Sequence, residues 1–297
     1  WHSTGTCGAI GAAAACAILR ELDDSRTGQS LALATSQSAV LWHTRHDAAS
    51  MGKQLHTAAA ARAGVDAARL AQLGFQGPLN ILEGEQGFFQ AMCPDGDPRH
   101  VLADLADWMI HDVSFKPWPA CRHAHAAIDA ALELRDRVAL DQIDRITVRT
   151  YADALKFCDR PSPETVIEAK FSLQHSVATT LIRGAPALED FSIDSIQAAD
   201  LSALRAKVEV EIGADYQDRY PARFGAEVSA NGATVIMADA LGDPENPIGE
   251  MQLVEKAESL MRAGGMSGES SRALSVMLMS DDLSIGDLMQ RLREVLT

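Results

Sequence analysis

The segment Phe115-Lys116-Pro117-Trp118-Pro119 divides the chain, because no helix passes through it. Two prolines two residues apart remove two amide donors and push the residues before them into extended geometry. The sequence before it reads as almost entirely helical, with alanine at the apolar positions. Phe, Trp and Tyr make up only 5% of the chain, so these helices are expected to approach closely through small side chains. Thr4 or Thr6 is placed to cap a first helix over 9–22, with Asp23-Asp24-Ser25 ending it. Gly28 opens a second over 31–41, and a third runs from near Met51 to Leu73 with Gly64 as its break point. Gly74 is suited to stop it, and Gly77-Pro78 forbids continuation. Shorter helices are expected over 85–92 and 101–108.

Beyond the divide, helical spacing over 123–137 gives way to partial alternation over 143–150, the mark of a half-buried strand. A helix over 168–182 is ended by Gly184, and residues 208–212 alternate cleanly. Two further alternating stretches flank Asn231-Gly232, the strongest short hairpin signal. Gly242-Asp243-Pro244-Glu245-Asn246-Pro247 is a linker by composition, and three helical stretches follow. The expected class is α+β: a large, mostly helical domain with an inserted α+β domain carrying an antiparallel sheet. The boundaries are 1–112 for the first helical part, 113–245 for the α+β domain and 246–297 for the helical return. No internal repeat or low-complexity tract is visible.

The chain has 297 residues and a formal charge of −15, which argues against a nucleic-acid or anionic-membrane partner. A small acidic substrate stays open, since a pocket is governed by its own local charges. Five cysteines, widely spaced and without Cys-x-x-Cys, fit reduced thiols in the cytoplasm better than a disulfide framework. The Ala-rich run after Gly8 is too short to span a bilayer. A start at Trp1 that runs straight into motif-like sequence suggests a processed or truncated chain.

Four stretches could carry chemistry. His2-Ser3-Thr4-Gly5-Thr6-Cys7-Gly8 is a polar turn feeding a helix, suited to an anion or equally to a plain helix cap with a bystander His. Lys53 and His56 are three apart at a helix start and share a face, as a functional pair or as a solvated Lys beside an incidental His. Lys116 to His125 delivers a Lys, a thiol (Cys121), an Arg (Arg122) and two His (His123, His125) within ten residues. That combines carboxylate donors with groups titrating near neutrality, although a basic loop in an acidic protein has the same composition. A His-x-His metal site lacks a third ligand at any recognisable spacing, so no metal is expected. Lys170 and Gln174, four apart beside His175, form either a solvated stripe or a cleft wall.

Together these stretches resemble the MmgE/PrpD family. The resemblance is carried by His2-Ser3-Thr4-Gly5-Thr6-Cys7-Gly8, Lys53-x-Leu55-His56, the run from Lys116 through His125 to Ala130, Ala169-Lys170-Phe171-Ser172-Leu173-Gln174, Tyr220-Pro221 and the linker at Gly242. It implies a cofactor-independent lyase, 2-methylcitrate dehydratase-like, acting on a di- or tricarboxylate by α-proton abstraction. Its alternatives are an iminodisuccinate-type epimerase and a truncated member that only binds polycarboxylates. The resemblance implies His2, Lys53, Lys116 and His125 as the catalytic set, expected to approach one another. Ser3, Thr4, His56, Cys121, Arg122, His123 and His175 are expected to contact substrate, with Lys53, Lys116 and Arg122 as carboxylate clamps. A homodimer without cofactor, nucleic acid or membrane partner is implied as well. Family members are longer at the N-terminus, so part of the site is expected outside this chain. The decarboxylase branch carries His and Tyr where this chain has Cys121 and His175, which weighs toward the dehydratase and epimerase branches.

Overall fold

The computed structural model describes residues 1–46, 50–101, 108–280 and 282–296, and the chain forms two compact units, Trp1–Asp107 and Trp108–Thr297. The first unit is helical: α1 (Ser3–Leu19), α2 (Asp24–Thr35), α3 (Gly52–Gln72) and the short α4 (Phe88–Met92). Its core is alanine, with Ala9, Ala13, Ala17, Ala34, Ala67 and Ala71 all buried where α1, α2 and α3 pack. Gly64 does not break α3. A Cβ there would lie 2.4 Å from Ala12 Cβ and 2.6 Å from the Ala13 amide nitrogen, so glycine is what lets α1 and α3 touch at the backbone.

Two expected boundaries move. Asp23 does not end α1 but caps α2, accepting from the Arg26 amide at 2.8 Å. Thr4 and Thr6 lie within α1, which starts at Ser3 because His2 is held in extended geometry, its amide N–H donating a hydrogen bond to the Val40 carbonyl. The helix expected over 101–108 falls mostly on residues 102–107, outside the described residues.

The second unit begins with the extended proline-rich segment and continues into α5 (His125–Arg135), β1 (Ile146–Thr150) and the helices α6 (Ala152–Cys158), α7 (Val166–Lys170), α8 (Leu173–Arg183), α9 (Ile193–Gln197) and α10 (Ala199–Arg205). Then come β2 (Val208–Ile212), α11 (Ala214–Arg219), β3 (Ala226–Ala230), β4 (Ala233–Met237), α12 (Glu250–Ala263), α13 (Gly268–Leu278) and α14 (Ile285–Leu296). The class is α+β, as the sequence implies, but the sheet is mixed and not antiparallel throughout. Its order is β2-β1-β3-β4, and β1 pairs with β2 in parallel, Ile146 opposite Val208. A parallel pair needs a long crossover, which the α6–α10 run supplies. Asn231 and Gly232, both at positive φ, close the β3–β4 hairpin. Helices α5 and α8 cover the sheet and bury Ile128, Leu134, Val177 and Leu181.

The helix expected over 168–182 is two helices. Ser172 takes extended geometry and caps α8 by accepting from the His175 amide at 2.9 Å.

The glycine contact in α3 generates a paired prediction. Gly64→Ala gains about 1 kcal/mol of helix propensity and loses more to overpacking, which typically costs about 1–3 kcal/mol. Urea denaturation should show it destabilised. Gly11→Ala in α1, with nothing within 4 Å of the new Cβ, should be neutral or stabilised.

Candidate functional site

In the first unit, packing at the start of α1 assembles a cluster. A Cβ on Gly5 would sit 2.6 Å from Val40 Cγ2 and 3.2 Å from His56 Cβ, so the first turn of α1 presses directly on α3. That approach brings His2 Nδ1 to 3.1 Å from His56 Nδ1. Two such nitrogens attract only if one carries the proton and the other a lone pair. His2 also stacks on Trp42, centroids 4.0 Å apart, and the Lys53 ammonium lies 5.9 Å from the same ring. His2 is buried, and its pKa is held below the usual histidine value by burial first, then by His56, Lys53 and the chain's amino terminus. Ser3 and Thr4 are exposed in the first turn of α1. His2, Lys53 and His56 therefore come together, and Trp42, which no motif singled out, is the platform between them.

In the second unit, the proline-rich segment lines a cavity of about 610 Å³. Lys116, Lys170 and Lys256 all border it, drawn from the extended segment, the end of α7 and the middle of α12. The Lys256 ammonium donates to the Lys116 carbonyl. Its pKa is lowered, first by burial and then by the Lys116 charge. On α12, Gln252, Glu255, Lys256, Ser259 and Leu260 face the cavity at helical spacing. That periodicity was the available signal for Lys256, but a helix face without a motif does not announce a ligand.

The remaining expected residues are engaged by the protein itself. Arg122 is no open clamp: its guanidinium pairs with Asp243, both side chains largely buried, and lies over the Phe224 ring at 4.8 Å. The Cys121 amide donates to the Lys170 carbonyl at 2.7 Å. His123 Nδ1 is 2.7 Å from the Tyr151 hydroxyl, and its ring stacks on Phe157. His125 is fully buried, with Nε2 donating to the Ala120 carbonyl at 3.3 Å. Burial, with help from Arg122, Lys116 and Lys256, pushes its pKa down to about 3, so it is neutral and packed inside the unit. His175 is also fully buried, donating from Nε2 to the Asp190 carbonyl at 2.8 Å and accepting from Arg205 at Nδ1. Both of its ring nitrogens are occupied, which leaves none to meet a substrate. Among the described residues, no group of three His, Cys, Asp or Glu side chains converges as a metal set would.

Residues 1–101 match the MmgE/PrpD N-terminal domain and residues 118–281 the MmgE/PrpD C-terminal domain. The chain belongs to the MmgE/PrpD family. Its relatives include the cis-aconitate decarboxylase of Homo sapiens, 32% identical over 72% of this chain and 46% of that protein. The cis-aconitate decarboxylase of Mus musculus is 29% identical over 71% of this chain and 44% of that protein. The 2-methylcitrate dehydratase of Cupriavidus necator is 28% identical over 73% and 46%. The chain thus spans less than half the length of the curated relatives it matches.

The buried histidines of this family member generate a pH prediction. His125 binds its proton near pH 3 when folded and near 6.5 when unfolded, so the unfolded state holds more protons between those values. Stability is fully present above about pH 6.5 and is lost as pH falls toward the folded value, at up to about 1.4 kcal/mol per pH unit. His2 and His175, also pulled down, act with the same sign. Thermal melts should show the decline, and His125→Gln should flatten part of it.

Proposed function

We propose that the chain is a cofactor-independent lyase that removes a proton α to a carboxylate of a di- or tricarboxylate, in the manner of a 2-methylcitrate dehydratase. The observation that carries this is the His2–His56 contact beside Lys53: an imidazole held unprotonated, in proton-sharing contact with a second one, next to an ammonium. A neutral imidazole accepts a proton, and a positioned base contributes about 10² to 10⁴ in rate. As the Cα–H bond breaks, its electron pair moves into the adjacent carboxylate as an enediolate, which an ammonium stabilises electrostatically. The pair then expels the β-hydroxyl, which leaves as water with the proton just taken up. His2 is assigned as the base and Lys53 as the enediolate partner. His56 is the partner that shares the His2 proton.

The relatives' names support the class of reaction and of substrate. The human and mouse relatives, both named as decarboxylases, favour a second reading, decarboxylation of an unsaturated tricarboxylate. Cys121 and His175 stand where the resemblance calls for decarboxylase His and Tyr, which supports the dehydratase reading first. A homodimer in a reducing cytoplasm belongs to the same proposal, the compartment being supported by widely spaced cysteines without a Cys-x-x-Cys pair. Among the described residues no helix is long and apolar enough to cross a membrane.

The test is proton NMR in D2O with 2-methylcitrate, citrate, cis-aconitate and iminodisuccinate. Loss of the α-proton signal together with growth of an olefinic product is expected, and it should survive exhaustive chelation. Exchange without elimination would replace the lyase with an epimerase. Release of carbon dioxide from cis-aconitate would favour the decarboxylase. Binding without exchange or turnover of any of them would leave only a polycarboxylate-binding protein and overturn the proposal.

A further inference from the structure

The cavity of the second unit concentrates positive charge in a chain whose formal charge is −15. Of its charged lining residues, Lys116, Lys170 and Lys256 are cationic and Glu255 is anionic. The three lysines come from an extended segment, the last residue of α7 and the middle of α12, so no single element's solvated face explains their meeting. Like charges brought together from three elements repel, and an anion that enters between them relieves that repulsion. The volume, about 610 Å³, lies within the range of small-molecule sites and exceeds what a lone inorganic anion needs. Gln252 and Ser259 add uncharged polar groups on the α12 side.

We propose that this cavity reads the number of carboxylates on the ligand, and that Lys170 and Lys256 are the specificity-determining residues that, with Lys116, separate polycarboxylates from monocarboxylates. The proposal rests on the reading of the chain as a polycarboxylate enzyme and names how such a ligand is selected. Lys256 is central to it. Its ammonium rests on the Lys116 carbonyl, beside the Lys116 charge. A carboxylate arriving there offers the Lys256 ammonium a better partner than a neutral carbonyl, since charge-assisted bonds are roughly twice as strong as neutral ones. Lys170 is held by a different constraint. The carbonyl of the same residue accepts the Cys121 amide at 2.7 Å, which ties the end of α7 to the segment that carries Lys116. The backbones that carry Lys116 and Lys170 are therefore tied to each other, and Lys256 is carried by α12. Three anchored lysines around one cavity discriminate ligands by charge number, because a monocarboxylate meets one cation where a tricarboxylate can meet several.

Titration calorimetry of the 297-residue chain tests this with tricarballylate, glutarate, butyrate and inorganic pyrophosphate as probes. Wild-type affinity should rise with carboxylate number and favour tricarballylate over pyrophosphate. Lys256→Gln and Lys170→Gln should each weaken tricarballylate by about ten- to a hundred-fold, the range of one charge-assisted contact. Butyrate should barely change, and Lys256→Arg should recover most of the loss. Melting curves matching wild type would confirm that the variants fold. Wild-type tricarballylate affinity in both Gln variants, or equal binding and equal loss with pyrophosphate, would overturn the proposal. The two readings fail separately. Isotope exchange with unchanged ligand selectivity in the Gln variants removes the cavity assignment alone. Charge-graded binding without exchange or turnover removes the lyase alone.

Discussion

The second unit depends on a pairing made far apart in sequence: Arg122, just before α5, with Asp243 in the turn before α12. Two buried charges lose their hydration, and only close geometry with further hydrogen bonds offsets that loss. The surroundings supply them. Ser114 donates its hydroxyl to Asp243 at 2.6 Å, and the Phe115 amide donates to the Gly242 carbonyl at 2.8 Å. Gly242 sits at φ +95°, and a Cβ there would collide with the Phe115 carbonyl, so the turn accepts little but glycine. Asp129 on α5 then takes the Trp118 indole and the Leu241 amide, each at 2.7 Å. The proline-rich segment is thereby clamped between α5 and the turn. That clamp sets where the Lys116 backbone lies, and the carbonyl of that residue in turn receives Lys256.

Histidine illustrates how burial divides residues of one type into different tasks. His125 and His175 are fully enclosed and kept neutral, and they join elements: α5 to the proline-rich segment, α8 to α10 and the loop at Asp190. His123 is sandwiched among Tyr151, Phe157 and Phe224. His2 differs because its partner is another imidazole and its neighbour an ammonium. A shared proton between two rings is a reservoir, whereas a proton donated to a backbone carbonyl is a fixed link.

Much of this was legible from composition and turn chemistry. Pro117 and Pro119 marked the change of texture, Asn231-Gly232 placed the hairpin, and the alanines announced close helix packing. What escaped depended on contacts distant in sequence. Asp23 reads equally as a terminator and as a cap, and only the chain's path decides. Gly64 reads as a break until Ala12 and Ala13 are seen against it. Strand direction is invisible to alternation, so β2 gave no sign that it runs parallel to β1. The nearness of Lys53 and His56 was legible because their spacing on one helix is local. The pairing of Arg122 with Asp243 was not legible, because it lies beyond any local pattern.

The central claim is that the His2 pair moves the proton beside Lys53. Steady-state kinetics of His2→Asn on the substrate that turns over tests it most directly. The account predicts that His2→Asn lowers kcat by about 10² to 10⁴ with KM nearly unchanged, the loss of a positioned base. A His2→Asn variant that keeps wild-type kcat and loses only affinity would contradict the account.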